Sequence, residues 1–222
     1  MIIDFHTHTY HSYDSLMKPG KILSIAKSRG LDGIVICDHN TIKGGVEASK
    51  INSDPDFKVI VGAEIATDAG DITGIFLTRE IVSRKFDEVA KEIKAQGGKI
   101  ILNHPYKAHN LSLIDFNLID YIEGYNSRVS KKDNEKAVAL AKKYNKPIVA
   151  GSDSHLYGEI AKCKTEVNNP DELLPLNSHC QKSRYYYITL SQYIKAYKRK
   201  SVKIFVSASA LFIKNALKNH NR

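Results

Sequence analysis

Apolar runs alternate with amphipathic stretches along most of this chain. Residues 2–5, 33–37, 59–63, 72–77, 99–102, 121–125 and 147–150 are short, apolar and rich in β-branched types, the pattern of strands buried on both faces. Between them, 21–29, 45–52, 84–95 and 132–144 carry apolar residues at helical spacing. Gly30, Gly97 and Asn145 stand just past three of these helices, where a helix is expected to stop. Strands that alternate with helices predict an α/β fold with a mainly parallel sheet, closed or nearly closed as a barrel. No internal repeat is visible.

In a barrel of this kind the reactive groups gather where strands end. The residues just past each run are therefore informative. His6 and His8 come after the first strand, Asp38 and His39 after the second, and Glu64 after the third. His104 comes next in NHPY, Asn126 in EGYN, and Asp153 and His155 in GSDSH. Nothing in barrel stability asks for a metal-ligand type of residue at nearly every strand end. Neutral imidazole and carboxylate together suit zinc, manganese or iron, and one carboxylate can bridge two ions. Closely spaced ions activate a water and neutralise a phosphate oxyanion. The set therefore predicts a cluster of divalent ions that activates a water for hydrolysis.

The ordered motifs DFHTHT, ICDHNT, VGAEI, LNHPY and GSDSH, with the later EIAKCKTEV, resemble the PHP (polymerase and histidinol phosphatase) family from about residue 2 to about residue 167. The resemblance implies a distorted (β/α)7 barrel, a trinuclear metal site and phosphoesterase activity. Carried over by motif, His6, His8, Glu64 and Asp153 would hold one ion. Glu64 would bridge to a second, shared with His104, and Asn126 stands where a further histidine is common. Asp14, His39 and His155 would hold the third. The resemblance allows histidinol phosphate, nucleoside monophosphates, bisphosphorylated nucleotides or short oligonucleotides as substrates. A small phosphomonoester, hydrolysed by a metal-activated hydroxide with two to three divalent ions bound, is the expectation.

Other residues near these motifs have candidate roles. Asp4 is placed to orient a ligand imidazole. Asp38 could deliver a proton to the leaving oxygen. Lys107 and Arg128, on loops beyond NHPY and EGYN, could clamp a substrate phosphate. His11 and His109 read as bystanders, and Cys37 as a buried small hydrophobe. Two other function classes remain open: an amidohydrolase-like metal hydrolase or DNase, and a non-catalytic module of the same family recruited through its tail.

Charge separates the end of the chain from the rest. The formal net charge is +9, yet residues 182–222 hold ten Lys or Arg and no Asp or Glu, which leaves 23 basic against 24 acidic residues elsewhere. The expected organisation is a hydrolase barrel over 1–180 and a basic, helical C-terminal extension over 181–222. The extension suits a membrane surface or nucleic acid, or else packs on the barrel or on a second copy of the chain. Cys37, Cys163 and Cys180 form neither a CxxC pair nor an even set, so free thiols in a reducing compartment are expected. The N-terminus lacks a basic segment followed by a long apolar run, so no signal peptide is expected. The resulting expectation is a cytoplasmic protein, peripheral at the membrane if the tail binds there.

Overall fold

The computed structural model describes residues 1–169 and 173–220, with side chains as far as Ile213. The basic tail residues Lys214, Lys218 and Arg222 lie outside these described side chains. In chain order the elements are β1 (Ile2–Thr7), α1 (Pro19–Ser28), β2 (Gly33–His39), α2 (Lys43–Ile51), β3 (Lys58–Thr67), β4 (Gly70–Ile75), α3 (Phe86–Lys94) and β5 (Lys99–Leu102). There follow β6 (Tyr121–Asn126), α4 (Lys131–Lys143), β7 (Ile148–Gly151), β8 (Cys163–Val167), β9 (Pro175–Cys180), α5 (Tyr185–Lys198) and α6 (Val202–His220). Each of the seven apolar runs is a strand, and each of the four helical stretches a helix.

The strands form one sheet in the order β7-β6-β5-β4-β3-β2-β1-β8-β9. β1, β2 and β3 are parallel, as are β5, β6 and β7. β4 is antiparallel to both neighbours, because it forms a hairpin with β3 instead of following a helix. The sheet curls until the segment after β7 meets the end of β1. There Thr7 bridges Ser154, and the His8 amide donates to the Ser154 carbonyl at 2.9 Å. Lower down, β8 pairs with the first residues of β1, so the barrel is nearly closed. This is the distorted α/β barrel expected.

Period-two alternation splits the strand residues between two apolar regions. Ile3, Phe5, Val35, Cys37, Ile60, Ile101, Tyr121 and Val149 pack together in the barrel interior. Ile34 and Ile36 pack with Ile22, Leu23 and Ala48 of α1 and α2. Ile100, Leu102 and Ile122 pack with Phe86, Val89 and Ile93 of α3 and Leu140 of α4. Extending the interior rows by the same period reaches polar residues: Val35, Cys37, His39; Ile60, Gly62, Glu64; Tyr121, Glu123; Val149, Gly151, Asp153. The interior is thus an apolar floor beneath a polar mouth. Bulges in β1 between Asp4 and Thr7, and in β6 between Glu123 and Tyr125, shift the alternation by one residue. They bring His6 and Asn126 round to the same mouth.

The cysteines differ from expectation. Cys163 and Cys180 are direct partners across the β8–β9 hairpin and are disulfide-bonded. Strand β9 has no apolar run in the sequence, so the hairpin that brings the two together was not legible there. Cys37 is free and fully buried, with its thiol pushed up to about 12 by that burial. Helix α5 packs against the loop after β1 and α6 packs on α5. No helix among the described residues is long and apolar enough to cross a membrane.

Candidate metal centre

His6 and His8 face each other, with their Nε2 atoms 3.1 Å apart. The Oε2 atom of Glu64 lies 3.6 and 3.5 Å from these two nitrogens, and Oδ1 of Asp153 lies 3.8 and 3.5 Å away. Oε1 of Glu64 reaches the other way, 3.1 Å from His104 Nε2. His39 sits with Nδ1 3.0 Å from Glu64 and Nε2 3.3 Å from Asp14, whose other oxygen is 3.2 Å from His155 Nε2. Among the described residues, ligand atoms form four groups whose members lie within 4.8 Å of one another: His6, His8 and Glu64; His6, His104 and Glu123; Glu64, Asp71 and His104; and His8, His39 and His155.

Hydrogen-bond accounting sets the imidazoles for coordination. Ser12 Oγ donates to Asp38 Oδ1 at 2.6 Å, which uses its one proton. It must then accept from His8 Nδ1, 3.0 Å away, and it also accepts from the His39 amide at 3.1 Å. His8 therefore has Nδ1 protonated and Nε2 bare. His155 Nδ1 lies 2.8 Å from the Asp153 carbonyl, which can only accept, so that nitrogen carries a proton and Nε2 is the atom turned towards Asp14. His6 Nδ1 lies 3.0 Å from Glu123 Oε1, the acceptor arrangement that commonly orients a metal-binding histidine. Gly151 makes this last contact possible, since a Cβ there would collide with both the Glu123 carboxylate and His6.

Burial and charge reinforce the arrangement. Burial, helped by His155 and His39, pushes His8 down to about 3, which leaves it neutral. Burial also opposes the charge on His39, but Glu64 and Asp14 outweigh it and raise that ring to about 10. Burial would raise Glu64, Asp14 and Asp153, yet the surrounding imidazoles hold all three well below the usual carboxylate range. In this state protons on imidazoles supply the positive charge that the carboxylates require. Among the described residues, two buried side-chain atoms have no hydrogen-bond partner, Asp14 Oδ1 and His104 Nδ1. Unsatisfied donors and acceptors cost about 1–3 kcal/mol each when buried, so these residues fit bound divalent ions as their missing partners. Asp153 (φ 51°) and His104 (φ 22°) hold left-handed backbone conformations, strain of the kind retained at functional positions.

Several expected roles change. Asp38 is fully buried and accepts from the Thr9 amide, Thr9 Oγ1 and Ser12 Oγ, all at 2.6 Å. It braces the loop after β1 and, through Ser12, His8; it does not face the mouth as a free proton donor. Asp4 accepts from the amides of His6, Ser152 and Ala161, not from an imidazole. Arg128 makes a two-pronged pair with buried Glu159 at 2.9 and 2.7 Å, and its remaining nitrogen donates to Ser191. Glu159 and Ser191 thus take three of its five N–H donors. Asn126 Oδ1 accepts from the Arg128 amide, so its NH2 group, and not its oxygen, faces Glu123 at 3.0 Å and Asp153 at 3.4 Å. In this orientation its NH2 group steadies those two carboxylates. Lys107 does lie at the rim, 56% exposed, with Nζ 3.8 Å from Asp153. His11 pairs with Glu47, and His109 lies 2.8 Å from the Asp71 carbonyl.

Glu123, Asp71 and Ser12 are the contributors that strand-end reasoning missed. Glu123 had one signal, a lone acid inside an apolar run. Asp71 lies at the start of β4, and only the antiparallel direction of that strand brings its beginning to the mouth.

Known proteins share parts of this sequence and this fold. Residues 131–175 match the model of the PHP-associated family. The chain is 37% identical to the Methanocaldococcus jannaschii protein MJ1587 over 142 residues, 57% of this chain and 82% of that one. Its fold is similar to a two-domain Bacteroides vulgatus protein described as containing a predicted PHP-like metal-dependent phosphoesterase, with a TM-score of 0.68, 17% identity, and 86% and 68% of the two chains covered. It is also similar to an amidohydrolase from Chromobacterium violaceum, with a TM-score of 0.58, 16% identity, and 81% and 93% covered. The chain belongs to the PHP family.

Proposed function

We propose that this protein is a metal-dependent phosphoesterase that hydrolyses a small phosphomonoester of the nucleotide or histidinol-phosphate type. The observation that carries this reading is the convergence of His6, His8, Glu64 and Asp153 with Asp14, His39 and His155 at one end of the barrel. His6, His8, Glu64 and Asp153 would hold one divalent ion, Glu64, His104 and Asp71 a second, and Asp14, His39 and His155 a third. Such ions, when bound, supply an activated water and neutralise a phosphate oxyanion. The chain's own residues do the rest. Glu123 and Ser12 fix the tautomers of His6 and His8. Asn126 holds Glu123 and Asp153 in place. Lys107 is the exposed cation at the rim, placed to receive a phosphate oxygen. The closed floor of Phe5, Val35 and Ile101 excludes water from below.

The test is one preparation assayed for metal content and for phosphate release on a panel of phosphomonoesters, with amide substrates and DNA alongside. His8→Ala is expected to lose at least one ion per chain and at least about a hundredfold in turnover, more than the loss typical of a supporting residue. Full metal content with turnover only on amides, or on nothing, would sink the proposal.

A further inference from the structure

Helix α5 belongs to the basic extension, yet it reaches the metal centre. The Lys198 ammonium donates to three main-chain carbonyls, those of Tyr10 (2.6 Å), Ser12 (2.6 Å) and Ser15 (3.2 Å). An ammonium has three donors, and all are used. The three acceptors belong to the irregular segment between β1 and α1, the segment that carries Ser12, Tyr13 and Asp14. Carbonyls outside regular structure need partners from elsewhere. Here one side chain, at least 183 positions along the chain, supplies three.

A second contact runs through Tyr13. Its ring stacks on His39, with centroids 4.3 Å apart and planes within 4°. On the same ring sit the Arg199 guanidinium, 4.1 Å from the centroid, and the Lys195 ammonium, 4.7 Å away. A third contact reaches His155. Ser183 Oγ, just before α5, donates to Glu159 Oε1 at 2.8 Å, and Glu159 Oε2 accepts from the His155 amide at 3.1 Å. The extension therefore touches the supports of Asp14, His39 and His155, one after another. At this corner the His39 side chain is 12% exposed, against 0–2% for His6, His8 and Glu64, and Asp71 is likewise only partly buried.

We propose that Lys198, with Tyr13, Lys195 and Arg199 behind it, is a positioning residue that sets the affinity of the corner formed by Asp14, His39 and His155 for its ion, so that the C-terminal extension is a working part of the metal centre. The inference rests on the metal-dependent reading above and adds to it a specific control point. Free loop carbonyls favour water and a broader range of backbone positions. Held by Lys198, the loop keeps the Asp14 carboxylate 3.2–3.3 Å from His155 and His39. Supports of this kind change metal affinity by about 10–100-fold.

The experiment uses the full chain and divalent manganese or zinc alone. Wild type, Lys198→Met and the control Lys203→Met are equilibrated against graded free metal, and ions per chain are counted at each level. Lys198→Met is expected to weaken one ion by about 10–100-fold, while the uptake of the others stays at wild-type values. Lys203→Met, with the same loss of charge on α6, is expected to match wild type. If Lys198→Met fails to fold, Tyr13→Leu removes the ring between His39 and the two cations and should show the same selective loss. Unchanged uptake of every ion, or equal weakening of all of them, would overturn the inference. A wild type that takes up no ion overturns the metal-dependent reading itself, and with it this one.

Discussion

Replacing Asp38 with asparagine separates two roles that the same residue could have. The carboxylate accepts three bonds of 2.6 Å in a fully buried position. Hydrogen bonds to charged groups contribute about 1.5–3 kcal/mol each, and neutral ones about 0.5–1.5. The Asp38→Asn side chain would keep one oxygen for the Thr9 amide and Ser12 Oγ, and would turn its NH2 group towards Thr9 Oγ1, whose hydroxyl must then reverse. Losing roughly 1 kcal/mol per bond gives a destabilisation of about 3 kcal/mol. In a chain of this size that lowers the melting temperature by about 6–12 °C. Ser12 would remain but be less firmly held, so His8 would loosen and metal affinity fall by about 10–100-fold. Turnover at saturating metal should recover most of the wild-type rate, with both limbs of the pH–rate profile in place. The assay is a melt, a metal titration and a pH profile on one sample. Normal melting and normal metal uptake, with turnover lost and the limb for proton donation flattened, would show that Asp38 delivers the leaving-group proton and that the positioning argument is wrong.

Two further outcomes are expected. Arg128→Met should leave Glu159 buried without its partner, a change that costs about 3–5 kcal/mol, and should lower the melting temperature with little change in KM; a large rise in KM at unchanged stability would restore Arg128 as a phosphate clamp. His39 is raised from 6.5 to about 10 in the metal-free state, so its pairing with Glu64 and Asp14 contributes stability that is complete below about 6.5 and is lost as pH rises towards 10. Melting of chelator-treated protein between those limits should therefore fall more steeply for wild type than for His39→Gln, and parallel curves would contradict the assignment.

How much was legible in the sequence depended on whether local order carries the information. Strand ends are local: an apolar run followed by His or Asp names both the strand and a group at its mouth, which is why His6, His8, His39, His104, Asp153 and His155 could be assembled from chain order. Direction is not local. β4 runs against its neighbours, so Asp71 stands at the beginning of its strand and carries no strand-end signal. Side-chain partnership is not local either. Arg128 and Lys107 look alike as loop cations, but Glu159 takes the first and leaves the second at the rim.

By itself the chain order determined the α/β barrel, because period and run length are properties of neighbouring residues, and it named the candidate metal ligands, because the ligand types recur after strand after strand. Only the tertiary structure decided which groups act on which. The bulge in β1 aims His6, the antiparallel β4 brings in Asp71, the β8–β9 hairpin joins Cys163 to Cys180, and Lys198 reaches back to the loop that carries Asp14. Each of these depends on residues distant in sequence meeting at a few ångströms, a relation that hydrogen bonding and close packing enforce in three dimensions and that no local pattern encodes.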